Sequence, residues 1–354
     1  MAVRHGYGKI AGTDALVFAY DTGDTRNSYR GEPTVNLHPS PEDVSTWTGN
    51  LFNNWINSAY TSNVSIAPNG TLTADRLGDG YGKFNASVSI TAGQTYTYSV
   101  YLRNVSLTNN FDIVYAWGLN GSLVSYGTAT NVSISQLSTT EWTRVTATLT
   151  APASGVNQVQ FGPCPFTGHG NPSGQQIDVW GAMIENKSHP TQYTAGTRSA
   201  TQGLLDLTGN STPDLTNASF DSNAQITLDG TNDYIDLGSY LTGIDTSVLS
   251  IELVFRSNIG TGGYMPLLGW MENEYPHGYI CTGNFTGYWG NESISFYNEG
   301  PGTTGLSFAY TNGHAFLNDS NYHHVVFILQ TGAYKIYVDG SEVAVNGGFR
   351  NGSM

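Results

Sequence analysis

Among the residues able to do chemistry, two adjacent histidines stand out, His323-His324, together with four aspartates, Asp229, Asp233, Asp236 and Asp339. By type they suit metal binding or proton transfer. Their spacing argues against both. Neighbouring residues of a strand point to opposite faces, so His323 and His324 cannot ligate one metal. Asp233 and Asp236, three apart, also face opposite ways and make a poor pair. Calcium would suit oxygen ligands of this kind, but Asp229-Gly230 and Asp339-Gly340 read more simply as hairpin turns. No metal or other cofactor is expected. Hydrolysis of a glycosidic bond needs two carboxylates about 5–9.5 Å apart. Glu272-Asn273-Glu274 has the right alternation, but it lies in a glycine-flanked stretch that reads as a solvated loop. There is no Gly-x-Ser-x-Gly elbow, phosphate-binding loop or dinucleotide fingerprint. The expectation is therefore a protein without catalysis.

Binding is the sharper reading. Saccharides offer apolar C–H faces to aromatic rings and hydroxyls to polar side chains. The segment Gly260–Gly305 mixes Tyr264, Trp270, Tyr275, Tyr279, Tyr288 and Trp289 with Glu272, Asn273, Asn284 and Asn291. Its weak periodicity reads as loops, where binding residues gather. Trp270, Glu272, Tyr275, Tyr288, Trp289 and Asn291 are the candidate glycan contacts. Trp47, Trp55, Tyr60 and Tyr81 could serve similarly in the first half of the chain. The competing reading is that these aromatics fill cores.

The elements that must position such residues are strands. Tyr96, Tyr98, Val100 and Leu102 alternate with Thr97, Ser99, Tyr101 and Arg103, and Ile251, Leu253 and Phe255 alternate with Glu252, Val254 and Arg256. Trp142–Leu149 and Tyr334–Val338 show the same period of two. Ala92-Gly93, Asn120-Gly121, Asp229-Gly230, Asn312-Gly313 and Asp339-Gly340 mark turns between them. Helical periodicity is almost absent. The fold class is all-β, with two jelly-roll or β-sandwich domains. A polar, proline-bearing stretch near Lys187–Gly203 reads as a seam, and prolines at 33, 39 and 41 mark another.

Composition bounds the partners. The 354 residues carry 13 Lys+Arg against 27 Asp+Glu, a formal net charge of −14. Nucleic acid needs clustered basic residues, so it is not an expected partner. Membrane insertion is not expected either, because no apolar run approaches about 18 residues. Met1–Tyr20 has no secretion-signal pattern. Cys164 and Cys281 are too few and too far apart in sequence for a disulfide framework or a four-ligand zinc site.

Three segments resemble known families. Leu228-Asp229-Gly230-Thr231-Asn232-Asp233-Tyr234-Ile235, Asn321-Tyr322-His323-His324-Val325 and Tyr337-Val338-Asp339-Gly340 occur in the order found in laminin-G-like, concanavalin-A-like sandwiches, with Tyr322 where that family usually has Trp. In those proteins the histidine pair is framework. Ile90–Tyr101, Glu141-Trp142-Thr143-Arg144-Val145 and Val179–Glu185 with Pro190-Thr191-Gln192-Tyr193 resemble the carbohydrate-binding-module-like jelly rolls of phage tail proteins. Gly12–Asp21 with Asn27-Ser28-Tyr29-Arg30-Gly31 resembles the opening of phage structural proteins whose next motif, here Asp206-Leu207-Thr208-Gly209-Asn210, follows directly.

That order implies an insertion, the alternative being a free-standing N-terminal arm. Residues 1–37 would be an arm holding the first strand of the concanavalin-A-like sandwich, 38–196 an inserted jelly roll, and 197–354 the rest of the sandwich, which is short of strands, completed by a neighbouring chain, or continued beyond residue 354. The resemblance implies a virion surface structural protein: tail fibre, tail tip or head-surface decoration. It would be multicopy or homo-oligomeric, assembled in the host cytoplasm, with other virion proteins and host or environmental glycans as partners. A cementing protein without glycan binding, or the accessory region of a carbohydrate-active enzyme, are the alternatives.

Overall fold

The computed structural model describes residues 16–47, 59–78, 88–108, 110–113, 117–119, 123–126, 130–151, 157–164, 174–238, 248–256, 264–272, 275–285, 290–299, 306–310, 319–330, 333–344 and 346–349. These residues form strands in several sheets, with a single four-residue α-helix, Ala200–Gly203, and short 3-10 turns between them. The protein is all-β. The chain divides into two compact units, Met1–Gly238 and Ser239–Met354. The break falls after Gly238, not within the proline-bearing 187–203 stretch that composition singles out.

In the first unit a five-stranded antiparallel sheet runs in the order Thr143–Thr150, Thr95–Asn104, Ile177–Glu185, Ala74–Leu77, Tyr60–Ser65. Alternation decides its two faces. Tyr96, Tyr98, Val100 and Leu102 join Val145, Ala147, Ile177, Val179 and Leu77 in one buried core. Val88, Val132 and Val159 from smaller sheets, and Phe161 just after the strand Gln158–Gln160, complete that core. The Tyr98 and Phe161 rings stack across it at 5.5 Å. This is a sandwich, and each large apolar side chain it buries contributes about 1.5–3 kcal/mol. The predicted turn at Ala92-Gly93 is present, with Gly93 at a positive φ that favours glycine.

The strand Ile177–Glu185 is buried along its whole length. Its register against Thr95–Asn104 slips between Trp180 and Met183. Gly181 sits in this bulge at φ +64, where a side chain would press on the rings of Tyr101 and Tyr193. The stretch after the strand knits onto the sheet. Lys187 and His189 both reach the buried Glu32 carboxylate, and Arg198 donates to the Glu32 carbonyl at 2.8 Å.

The N-terminal arm returns to the segment that follows the jelly roll. Thr34–Val35 pairs with Thr197–Arg198, and Tyr29 bridges Leu204. Tyr29, Leu204 and Leu215 form a small separate core, and the Tyr29 hydroxyl donates to the Ala224 carbonyl. Burial raises the Tyr29 pKa, so the phenol stays protonated as that donor. Asp206 gathers the Asp-Leu-Thr-Gly-Asn segment. Its carboxylate accepts from the backbone N–H groups of Ala19, Thr208, Asn210 and Ser211.

In the second unit Val248–Phe255, His323–Gln330, Ala333–Val338 and Ser341–Val343 make one sheet, and Tyr264–Glu272, Tyr275–Phe285, Gly290–Glu299, Leu306–Tyr310 and Asn346–Phe349 the other. Val325, Phe327, Ile336 and Val338 from the first sheet and Ile294 from the second share a core. Asp339-Gly340 forms the expected two-residue hairpin turn between Val338 and Ser341, with φ of 50 and 82.

The described residues of the 260–305 region are strands rather than the loops expected. Three long strands occupy most of it, Tyr264–Glu272, Tyr275–Phe285 and Gly290–Glu299. The physical reason is a shifting phase. Register slips occur at Pro266/Leu268, Trp270/Met271 and Gly283/Phe285. Each slip moves the following side chains to the other face, so no period-two pattern survives in the sequence.

Candidate functional site

Of the six predicted glycan contacts, four have a described backbone, which places them at two ends of one group of paired strands. Glu272 pairs with Tyr275 at one end of the Tyr264–Glu272/Tyr275–Phe285 hairpin, and Trp270 pairs with Gly278 close by. Asn291 lies one residue after Gly290, which pairs with Phe285 at the other end of the same strand. At about 3.3 Å per residue, the two groups stand roughly 30 Å apart. Tyr288 and Trp289 fall outside the described residues, as do the side chains of the other four. Of the aromatics singled out in the first unit, Trp55 and Tyr81 also lie outside the described residues. Tyr60 is exposed. Trp47 is not a surface platform: it is 1% exposed, its ring packs on His38 at 4.9 Å, and its indole N–H is spent on the Ser40 carbonyl.

The histidine pair behaves as strand geometry requires. His323 is buried and held between Asp319 and Asp339, at 3.0 and 2.8 Å. His324 turns the other way, to Glu252 at 2.8 Å. Burial is the largest influence on His323 and lowers its pKa, but the two carboxylates outweigh it and the net shift is upward. Its hydrogen bonds hold Asp319 down at about 2. Asp233 accepts from Ser219 and from the Asp229 backbone, while Asp214 and Asp236 pair through their backbones. Among the described residues no group of three His, Cys, Asp or Glu side chains is placed to hold a metal. Among them too, no helix is long and apolar enough to cross a membrane.

A different cluster occupies the outer face of the five-stranded sheet. The same alternation that buries Val100 and Leu102 sends Tyr101 and Arg103 outward. Register sets Tyr101 between Arg144 and Trp180, and Asp178 between Arg76 and Arg103. Arg76 Nε meets one Asp178 oxygen at 2.7 Å and Arg103 Nη2 the other at 2.8 Å. Burial alone would raise the Asp178 pKa, and it is the largest influence. The two arginines together overcome it and hold the carboxyl below its ordinary value. Trp142 lies over the Arg103 guanidinium at 4.8 Å, worth about 0.5–2 kcal/mol. Its indole N–H donates to the Ile66 carbonyl at 2.9 Å. Trp180, Tyr101 and Tyr193 pack ring against ring beside it, with Trp180–Tyr193 centroids at 4.6 Å.

One half of this face is covered. Arg144 runs beneath the chain at Thr191, and the Tyr193 hydroxyl donates to Glu42. Burial and that carboxylate raise the Tyr193 pKa, so it remains a neutral donor. The other half is open. There Trp142 is half-buried, Arg76 and Arg103 expose 31% and 21% of their side chains, and Ile66 and Leu72 stand exposed on the connection that Trp142 and Trp180 grip. Trp142 and two guanidiniums share this open half. Chemically it can stack a ring-shaped ligand and donate several hydrogen bonds. Tyr101, Trp142, Arg144, Trp180 and Tyr193 lie within the motifs quoted from the sequence, while Arg76 and Asp178 lie outside them. The signal available was parity: Tyr101 with Arg103, and Trp142 with Arg144, fall on the same side of adjacent strands.

No family model matches this chain, and no curated protein does. Among solved structures, a carbohydrate-binding module of family 4 aligns with 41% of this chain and 99% of its own, at 15% identity and a TM-score of 0.26. The tripod from the baseplate of bacteriophage Tuc2009 aligns over 94% of this chain and 95% of its own, at 12% identity and 0.29. A tandem of two family-22 modules from Paenibacillus barcinonensis Xyn10C covers 90% and 88%, at 9% identity and 0.31. At such scores the likenesses fix neither a family nor a ligand for this chain.

Proposed function

We propose that this chain is a non-catalytic structural protein of a phage virion surface, present in multiple copies, whose sandwiches adhere to host or environmental glycans. The observation that carries the glycan part is the open half of the outer sheet face. Trp142, Arg76, Arg103 and the exposed Ile66 and Leu72 offer a stacking surface beside hydrogen-bond donors, which is what a saccharide requires. The virion part rests on the ordered motifs of the sequence. The pairing of Thr34–Val35 with Thr197–Arg198 brings the two ends of the 38–196 stretch together, which supports reading that stretch as an insert. A single shallow face binds weakly, and multiple copies would supply avidity.

A glycan array probed with the intact chain tests adhesion, and mass spectrometry of purified particles tests location. Binding to a defined glycan set and recovery from particles are the expected results. A chain found in particles that binds no glycan at any density would be an architectural cementing protein instead.

A further inference from the structure

The charge on the open face narrows the class of glycan. The chain has only 13 basic residues and a net charge of −14, yet Arg76, Arg103 and Arg144 all lie on one face of one sheet. Arg144 is covered, with its donors directed to Thr191 and Ser99. The other two reach solvent. Asp178, the carboxylate that pairs with both, is fully buried between them. It takes Nε and Nη2 of Arg76 and a single Nη2 of Arg103. The remaining N–H groups of the two guanidiniums have no hydrogen-bond partner among the described residues. The buried acid therefore fixes both heads, and each arginine side chain keeps part of its surface in solvent. The arrangement carries two positive charges against one negative, beside the half-buried Trp142. Glu141, next to Trp142 in the chain, is exposed.

Resting on the glycan reading above, we infer that this face selects acidic saccharides, in which an oxyanion on the sugar meets the Arg76–Arg103 pair while the ring lies along Trp142. A guanidinium fork matches a carboxylate or phosphate with two parallel hydrogen bonds, and such charge-assisted bonds are about twice as strong as neutral ones. A neutral sugar would leave the cationic edges hydrated and gain only the stacking.

The test uses the intact chain and three probes in calorimetric titrations: an oligogalacturonate, the same oligosaccharide with its carboxylates reduced to alcohols, and a poly(glycerol phosphate). The reduced form keeps the ring and loses the charge, so comparing it requires no altered protein. The acidic oligosaccharide is expected to bind about tenfold or more tighter than the reduced one. That ratio should fall as salt rises from about 50 to about 500 mM, because screening shortens the reach of exposed charges. Arg103→Gln should bring the ratio close to unity. Preference for the phosphate polymer over the uronate would support the inference with phosphate as the source of the oxyanion. Equal or tighter binding of the reduced form overturns the charge selection while leaving the glycan reading standing. Binding to no saccharide, charged or neutral, overturns both.

Discussion

Neutralising Asp178 should destabilise the first unit by an amount the geometry sets. The carboxylate is fully buried and lies 2.7 and 2.8 Å from two guanidinium nitrogens. With charge centres about 4 Å apart and an effective dielectric near 20, each pair is worth roughly 4 kcal/mol before desolvation. Removing the charge in Asp178→Asn returns several kcal/mol of desolvation cost. The two arginines, partly exposed, can also rehydrate. The net loss expected is about 2–3 kcal/mol, below the 3–5 of a fully buried broken pair. For a unit of this size that corresponds to a fall of about 5–10 °C in its melting transition, read by calorimetry on the intact chain. In an Arg103→Gln background the same substitution should cost less, by about 1 kcal/mol, since one partner is already gone. The pH dependence has a defined sign. The Asp178 pKa is depressed, so its contribution is present above the unfolded value of about 3.9 and is lost as pH falls through the lower folded value. The difference between wild type and Asp178→Asn should therefore shrink below about pH 4. A shift under about 1 °C, or a difference unchanged down to low pH, would refute the reasoning.

Gly203→Ala should cost about 1–3 kcal/mol. A Cβ there would come within 2.6 Å of Leu215 Cδ1 and 2.7 Å of the Gly31 carbonyl oxygen, and backbone cannot yield cheaply; urea unfolding measures it. The Asp319–His323–Asp339 cluster gives the second unit a pH window. The raised histidine contributes fully below about pH 6.5 and loses its contribution as pH rises through its folded value. The depressed Asp319 contributes above about pH 3.9 and loses it as pH falls through about 2. Stability should thus be greatest between about pH 4 and 6.5, and His323→Gln should flatten the profile followed by thermal melts. Trp142→Ala should weaken any glycan bound by the intact chain about three- to tenfold in titrations, from lost stacking, and should weaken charged and neutral saccharides alike.

The strands were legible where alternation runs unbroken. Tyr96 to Leu102 and Ile251 to Phe255 show their buried faces directly in the sequence, and Asp339-Gly340 shows its turn, because the pleat and the hairpin impose local rules. Legibility fails where a bulge intervenes. Between Tyr264 and Glu299 three register slips scramble the parity, so strands looked like loops. The break after Gly238 was hidden for another reason. The polar stretch after Glu185 has a linker's composition, but its Lys187, His189 and Arg198 are tied to Glu32, some 150 residues earlier, and no local pattern reports such a contact. The aromatic–arginine face was half legible. Tyr101, Trp142 and Trp180 lie in recognisable motifs, yet only register shows that Asp178 stands between two arginines drawn from two other strands.

The clasp formed by Tyr29 with Leu204 and Thr34–Val35 with Thr197–Arg198 has an evolutionary consequence. Entry to and exit from the jelly roll are held side by side, at the roughly 5 Å spacing of neighbouring strands. On the insert reading proposed above, the frame holds the two ends of residues 38–196 and also grips residues inside that stretch, Thr34 on Glu185 and Glu32 on Lys187 and His189. On that reading, a cassette exchanged here must bring its termini to that spacing and also supply partners for Thr34 and Glu32.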